Sequence, residues 1–134
     1  MIKKLFFILI LFLYSNVALS RTKHIHTERY YQELDCKGQL EVTFDDGTRA
    51  DCLDGIYATE YDYACKWYES VGQSLHYAMK SGLKPRIVLI IDKKQYKKYF
   101  KIALPLCQKY DIKLDIIEDY GEIKWKSVLS EQDM

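Results

Sequence analysis

The chain has 134 residues and a formal net charge of +1, from 20 lysines and arginines against 19 aspartates and glutamates. This near balance excludes a general electrostatic attraction for nucleic acid, so any such binding must come from a local basic patch. The length suits a single domain, and no internal repeat or low-complexity segment divides the chain.

The first 20 residues have the layout of a secretory signal peptide. Lys3 and Lys4 precede an apolar run, residues 5 to 14, and Ala18 and Ser20 supply the small side chains that a signal peptidase reads. The run is shorter than the roughly 20 residues of a membrane span. We therefore predict a mature domain over residues 21 to 134 that is periplasmic or secreted and has no membrane anchor. An uncleaved N-terminal anchor is the alternative.

The cysteines are Cys36, Cys52, Cys65 and Cys107. Their spacings fit neither a C-x-x-C redox site nor a structural zinc site, which disfavours a thioredoxin-like protein. An oxidising compartment permits disulfides, although free buried thiols are an equal alternative and two bridges have three possible pairings. The pair that we favour is Cys36 with Cys52, because it would tie the first helix to the sheet.

The first half of the chain predicts one helix and three strands. Residues 24 to 34 form a short polar helix with Tyr30, Tyr31 and Leu34 on one side. Alternating apolar and polar residues, separated by turn sequences at Asp45-Asp46-Gly47 and Asp54-Gly55, then predict strands. These strands cover residues 39 to 44, 48 to 53 and 56 to 64.

The second half alternates helices with strands. Apolar residues at helical spacing predict a helix over residues 66 to 80, and the unbroken apolar run 87 to 91 predicts a central buried strand. A second helical stripe runs from Tyr96 to Cys107, with a kink or a break expected at Pro105. A last strand covers residues 112 to 117, and the tail from about residue 118 predicts no definite element.

The element order is therefore α-β-β-β-α-β-α-β. Helices that link the third strand to the fourth, and the fourth to the fifth, favour right-handed crossovers between parallel strands. This order predicts an α/β fold with a mixed central sheet flanked by helices.

Three acidic residues lie in the middle of this sheet. Asp51 is on the second strand, while Glu60 and Asp62 are two residues apart on the third strand and so point to the same face. Carboxylates that come this close repel one another unless a cation neutralises them. Oxygen ligands of this type suit Mg²⁺ or Mn²⁺. A solvated strand face is the structural alternative.

Both the order of elements and these motifs resemble the PD-(D/E)XK, or restriction-endonuclease-like, nucleases over about residues 28 to 117. Gly47-Thr48-Arg49-Ala50-Asp51 is similar to the glycine-containing turn before the first acidic ligand of that family, and Glu60 matches the second. Gln73-Ser74-Leu75-His76-Tyr77 resembles the Q-x-x-x-Y motif of the RecB-like branch. The resemblance implies a restriction-endonuclease-like core in which Asp51 and Glu60 bind Mg²⁺ or Mn²⁺.

The chain departs from the family pattern at Asp62, where the family has a lysine that activates the attacking water. Lys66 is the substitute, because some similar proteins take this lysine from the next helix. At 100° per residue, Lys66, Gln73 and Tyr77 share one stripe about 40° wide. We assign Asp62 to support the metal or the water, Lys66 to stabilise phosphate charge, and Gln73 and Tyr77 to orient the site or the strand.

Two functions follow from this interpretation. The first is an exported metal-dependent endonuclease that hydrolyses phosphodiester bonds of nucleic acid. The sequence does not define whether the substrate is DNA or RNA. The second is a catalytically inactive binding or scaffold module with the same fold. Because many nucleases of this fold act as dimers, and the first strand offers an exposed edge, a homodimer is among the expected assemblies.

Overall fold

The computed structural model describes residues 26 to 91, 96 to 120 and 122 to 127, and the predicted signal peptide lies outside them. The protein is an α/β protein with one mixed sheet of six strands. In chain order its elements are α1 (Glu28–Asp35), β1 (Gln39–Thr43), β2 (Arg49–Leu53), β3 (Tyr57–Tyr63), a 3₁₀ turn (Ala64–Lys66), α2 (Trp67–Ser81), β4 (Lys84–Ile91), α3 (Tyr96–Lys109), β5 (Lys113–Tyr120) and β6 (Glu122–Ser127).

The strands lie in the sheet in the order in which they occur along the chain. The pairs β1–β2, β2–β3 and β5–β6 are antiparallel, as expected of strands joined by short turns. The pairs β3–β4 and β4–β5 are parallel, because α2 and α3 carry the chain back to the starting edge. The predicted mixed sheet flanked by helices is therefore confirmed.

Local turn chemistry ends these elements where the sequence predicted. In the β2–β3 turn, Asp54 Oδ1 accepts hydrogen bonds from the amides of Ile56 (2.9 Å) and Tyr57 (2.7 Å), while Gly55 has φ of 87°. Gly82 ends α2 with φ of 72°, a left-handed conformation that glycine adopts without steric cost. The positions of these turns fix which strand residues face each other at the site.

The sheet has a different core on each of its two faces. Towards α2 and α3, the face is aliphatic, and its fully buried side chains are Ile87, Leu89, Ile91, Ala103 and Ile116. Towards α1, the core is more aromatic, and its fully buried side chains include Tyr31, Val88, Ile90 and Ile117, with Tyr61 1% exposed. The strands of this central region are covered on both sides, as their apolar sequences predicted.

One disulfide bridge joins the end of α1 to the sheet. It links Cys36 to Cys52 of β2, with 5.8 Å between the Cα atoms, which is the pair favoured from the sequence. Cys65 is exposed and Cys107 is buried, and both are free thiols. The bridge connects residues that lie directly beside Asp35 and Asp51.

Three features differ from the sequence predictions. Helix α3 continues through Pro105, so of the predicted kink or break the break does not occur. Leu34 is 46% exposed and so does not lie with Tyr31 on the buried side of α1. Strand β6 pairs with β5 at the edge of the sheet, where no element was predicted. Its sequence alternates Ile123 and Trp125 with charged residues, a pattern typical of a strand with one covered face.

Candidate functional site

The candidate site lies where strands β2 and β3 separate. Within these fully described strands, the ladder pairs only Cys52 with Thr59 and Leu53 with Ala58. Beyond this point the amide of Tyr61 donates to Asp51 Oδ2 at 2.9 Å. A carboxylate thus takes the place of a strand carbonyl, and the two strands form a fork around it.

All six predicted site residues border one cavity in this fork. The cavity has a volume of about 360 Å³. Strands β2 and β3 supply Asp51, Glu60 and Asp62, the 3₁₀ turn supplies Lys66, and α2 supplies Gln73 and Tyr77. The structure therefore brings together side chains that are up to 26 positions apart, since the sheet and α2 meet at the fork.

Burial makes the three carboxyl groups of the strands weak acids. Glu60 is 6% exposed and Asp62 is 4% exposed. Burial, together with the nearby charges of Asp51 and Asp62, raises the pKa of Glu60 to about 9. Burial also raises the pKa of Asp51 to about 6, against the hydrogen bond from the Tyr61 amide, and the pKa of Asp62 to about 6, against its ion pair with Lys66.

One oxygen of Glu60 has no partner in the described part of the chain. The atom is Oε2, which is buried and accepts no hydrogen bond. Leaving a buried carboxyl oxygen unsatisfied costs about 1 to 3 kcal/mol, and more if the group is charged. A group that is missing from the protein itself, such as a cation, would satisfy this oxygen.

Lys66 reaches the acidic cluster through Asp62. Its Nζ lies 3.0 Å from Asp62 Oδ1 and 3.2 Å from Glu28 Oε1. The hydrogen bond to Asp62 is the main reason that the pKa of Lys66 rises above its ordinary value. On the other side of Asp62, Ser70 Oγ donates to Oδ2 at 3.2 Å. Asp62 thus has an ion pair at Oδ1 and a hydrogen bond at Oδ2, and Lys66 stays protonated.

Gln73 and Tyr77 meet on the side of α2 that faces the fork. Gln73 Nε2 and Tyr77 OH are 3.5 Å apart, as their spacing of four residues in a helix allows. Tyr77 is 5% exposed and stacks on Phe44 with 5.9 Å between ring centroids. Burial raises the pKa of Tyr77, so its hydroxyl is a hydrogen-bond donor at neutral pH.

The acidic residues leave room for a cation with few protein ligands. Among the described residues, no group of three or more His, Cys, Asp and Glu side chains is arranged to hold a metal ion. Asp51 and Glu60 supply two carboxylates. Mg²⁺ is commonly bound by one or two carboxylates together with waters and substrate phosphates. The donor set and the unsatisfied oxygen of Glu60 fit such an ion.

Comparisons of the chain with models of protein families, with curated proteins and with solved structures give no match. No helix in the described ranges is long and apolar enough to cross a membrane.

Four residues of the cavity were not predicted as site residues from the sequence. They are Glu28, Arg49, Tyr61 and Glu69. The helical spacing of Glu28 to the buried Tyr31 places both on the inner side of α1, and the period of two places Arg49 on the side of Asp51. The helical spacing of Glu28 and the period of two at Arg49 were visible in the sequence. Each indicates a site residue only when the position of the fork is known.

Other polar residues of the helices lie away from the cavity. Glu33 pairs with Arg29 at 2.7 Å on the exposed side of α1, so the acidic residue that α1 brings to the cavity is Glu28. His76 Nε2 lies 2.9 Å from Asp46 Oδ2, at the β1–β2 turn. Lys98 of α3 is exposed, and part of its lysine-rich run lies outside the described residues.

Proposed function

We propose that the protein is a metal-dependent nuclease of the PD-(D/E)XK type, which hydrolyses phosphodiester bonds at the β2–β3 fork. The observation that carries this proposal is the unpartnered Oε2 atom of Glu60, buried beside Asp51 and Asp62 in a cavity that also holds Lys66. A buried, uncompensated carboxyl cluster costs stability, so an oxygen-binding cation is the economical reason for its presence.

Asp51 and Glu60 would hold Mg²⁺ or Mn²⁺. When bound, such an ion supplies Lewis-acid stabilisation of phosphate charge and lowers the pKa of water. Glu60 would hold the cation as a carboxylate, so it would release the proton that its raised pKa retains at neutral pH. The amide of Tyr61 keeps Asp51 Oδ2 directed into the fork.

Lys66 would act as a cation towards the phosphate. Because Asp62 and Glu28 raise its pKa, it does not act as a general base at neutral pH. Asp62 positions the ammonium group, so a lysine from the 3₁₀ turn takes the place of the family's strand lysine. Gln73 and Tyr77 would donate hydrogen bonds to the nucleic-acid strand, since both line the same cavity.

The architecture also supports the proposal. The described elements follow the order α-β-β-β-α-β that the resemblance implies, and the acidic residues lie on the two strands that the family uses. The order of the elements and the positions of the acidic residues therefore support the same proposal.

The test is cleavage of single-stranded and duplex DNA and RNA by the purified protein, with Mg²⁺, with Mn²⁺ and with EDTA. We expect metal-dependent cleavage that Glu60→Gln abolishes, because the amide keeps the shape but cannot hold the cation. Glu33→Gln, at an exposed glutamate, is the matched control and should cleave like the wild type. Absence of cleavage by wild type on every substrate would overturn the nuclease proposal.

A second candidate is an inactive binding module with the same fold. The observation that favours it is the pairing of Lys66 with two carboxylates, which already neutralise its charge. The double variant Asp62→Lys with Lys66→Ala separates the two, because it restores the family's lysine position and removes the substitute. Cleavage by wild type, lost in Lys66→Ala and regained in the double variant, supports the nuclease. Binding of nucleic acid without cleavage by any variant supports the module.

A further inference from the structure

A network of buried and partly buried polar side chains lies where the end of α1 packs on the sheet. Arg86 of β4, 8% exposed, is its centre. Its Nη1 donates to Asp35 Oδ2 at 2.7 Å and its Nε donates to Asp115 Oδ2 at 2.6 Å. The Tyr61 hydroxyl donates to the same oxygen of Asp35 at 2.6 Å. The end of α1 is therefore bound directly to β3 and β4, and through Arg86 to β5.

Tyr61 connects this network to the cavity. Its side chain crosses to the α1 face and binds Asp35, while its backbone amide binds Asp51 on the other side at 2.9 Å. Burial, together with the bond to Asp35, raises the pKa of Tyr61, so the phenol remains a donor. The position of the Tyr61 amide thus depends on contacts that lie outside the cavity.

The disulfide closes the same connection into a ring. Cys36 follows Asp35 and Cys52 follows Asp51, and the two cysteines are bonded to each other. The ring runs from Asp51 to Tyr61 through a hydrogen bond, from Tyr61 to Asp35 through a second, and back through the bridge. Both the backbone and the carboxylate of Asp51 are held by this ring.

We propose that Tyr61 and Asp35 are positioning residues that, with the Cys36–Cys52 bridge, fix the carboxylate of Asp51 for cation binding. The inference rests on the proposed function for its cation and on geometry alone for the ring. Residues that orient metal ligands from outside commonly change cation affinity by about 10-fold to 100-fold. If the carboxylate of Asp51 could rotate freely, this gain in cation affinity would be lost.

The first measurement is hydrogen exchange at the amide of residue 61, which needs no cation. Tyr61→Phe and Asp35→Asn should each speed this exchange about fivefold or more, as expected for the loss of one supporting hydrogen bond. Asp51→Ala, which removes the acceptor itself, shows how fast the unbonded amide exchanges. If Tyr61→Phe failed to fold, Asp35→Asn would weaken the same bond while preserving shape.

The matched control is Tyr63→Phe. Tyr63 lies on the same strand and the same face, but its hydroxyl donates to the carbonyl of His26 at 2.7 Å. Its removal should leave exchange at residue 61 unchanged. Equal exchange at residue 61 in wild type, Tyr61→Phe and Asp35→Asn would overturn the proposal, even if all variants lost thermal stability.

The second measurement is Mn²⁺ affinity by titration calorimetry, well below the melting temperature. We expect Tyr61→Phe to weaken Mn²⁺ binding about tenfold and Tyr63→Phe to leave it unchanged. Equal affinity of both variants would overturn a positioning role. If wild type itself bound no Mn²⁺, the proposed function would fail and the positioning role in cation binding with it, whereas the exchange result would still decide whether the ring fixes Asp51.

Discussion

The two faces of the sheet each hold a cluster of buried or partly buried charges, and the clusters differ in charge balance. On the α1 face, Asp35 and Asp115 are matched by Arg86 and by Lys113, which lies 3.5 Å from Asp115. Among the described residues that line the cavity, two cations, Arg49 and Lys66, face the carboxyl groups of Glu28, Asp51, Glu60, Asp62 and Glu69. The α1 face is balanced in charge, whereas the cavity has fewer cationic than acidic side chains.

A charge cluster that stabilises the fold and one that binds a ligand should respond differently to substitution. Arg86 forms hydrogen bonds with both of its carboxylates, and its removal would leave Asp115 with its ion pair to Lys113 and Asp35 with the hydrogen bond from Tyr61. Removing a carboxyl group from the cavity, in contrast, relieves repulsion. Substitutions on the two faces should therefore change stability in opposite directions.

The largest effect is expected for Arg86→Met. Breaking a buried ion pair on one side typically costs about 3 to 5 kcal/mol, because the remaining carboxylates cannot regain water. Urea unfolding should show this loss of free energy of unfolding. Arg49→Met, at an arginine 60% exposed, is the control and should change it by less than about 0.5 kcal/mol. Equal losses in both variants would contradict a special role for the buried network.

The second prediction concerns pH and the cavity. The folded pKa of Glu60, about 9, lies above its ordinary value of 4.5, so the folded state binds more protons between these limits. Stability of the cation-free protein should therefore fall as pH rises from about 4.5 to 9. A pKa difference of even one unit corresponds to about 1.4 kcal/mol, which thermal melting at pH 5 and pH 8 would detect.

Glu60→Gln sharpens this second test. The variant should be more stable than wild type at pH 8 and should show a flatter dependence on pH, whereas Glu33→Gln should follow wild type. Mn²⁺ at pH 8 should raise the melting temperature of wild type but not of Glu60→Gln, since bound ligand stabilises the folded state by mass action. A wild type whose stability rises between pH 5 and pH 8 would show that Glu60 is ionised in the fold.

The smallest effect is expected for Arg49→Ala. Arg49 lines the cavity and pairs with Glu41 at 2.7 Å at the mouth of the fork, where a phosphate would compete with Glu41. We expect about a fivefold increase in KM for nucleic acid with little change in kcat, as for an exposed charged contact. Arg29→Ala is the control, because Arg29 also faces Glu41, at 3.7 Å, but does not line the cavity. Equal increases in KM in both variants would show that the loss of one positive charge, and not a contact of Arg49 in the cavity, causes the effect.

The sequence predicted the strands and turns of the first half within one or two residues, because period-two alternation and Asp-Gly turns are local signals. It also placed Glu60 and Asp62 on one face. It did not predict β6, although Ile123 and Trp125 alternate with charged residues there, because so short a pattern is a weak signal without the pairing to β5. Nor did it predict the contact between Asp35 and Arg86, which are 51 positions apart and have no local signal.

The same limit applies to the candidate site. Asp51, Glu60 and Asp62 were found together because neighbouring strands of a hairpin fix their positions. Glu28 was missed because its place depends on how α1 packs against the fork, which is a long-range property. The resemblance located Lys66 near the acids, but the structure shows that Asp62, the residue that departs from the family pattern, is what holds it.

The Cys36–Cys52 bridge also makes the structure of the site depend on the redox state of the compartment. Two thiols form this bond only by passing their electrons to an oxidant such as another disulfide, which reducing compartments do not sustain. In a reducing cytoplasm the chain would lack the bridge. The ring through Tyr61 and Asp35 would then be open, and Asp51 would be held less firmly. If the protein cuts nucleic acid and is exported, as its N-terminal sequence predicts, its producer's own genome would meet only the form without the bridge, and the bridged form would arise after export.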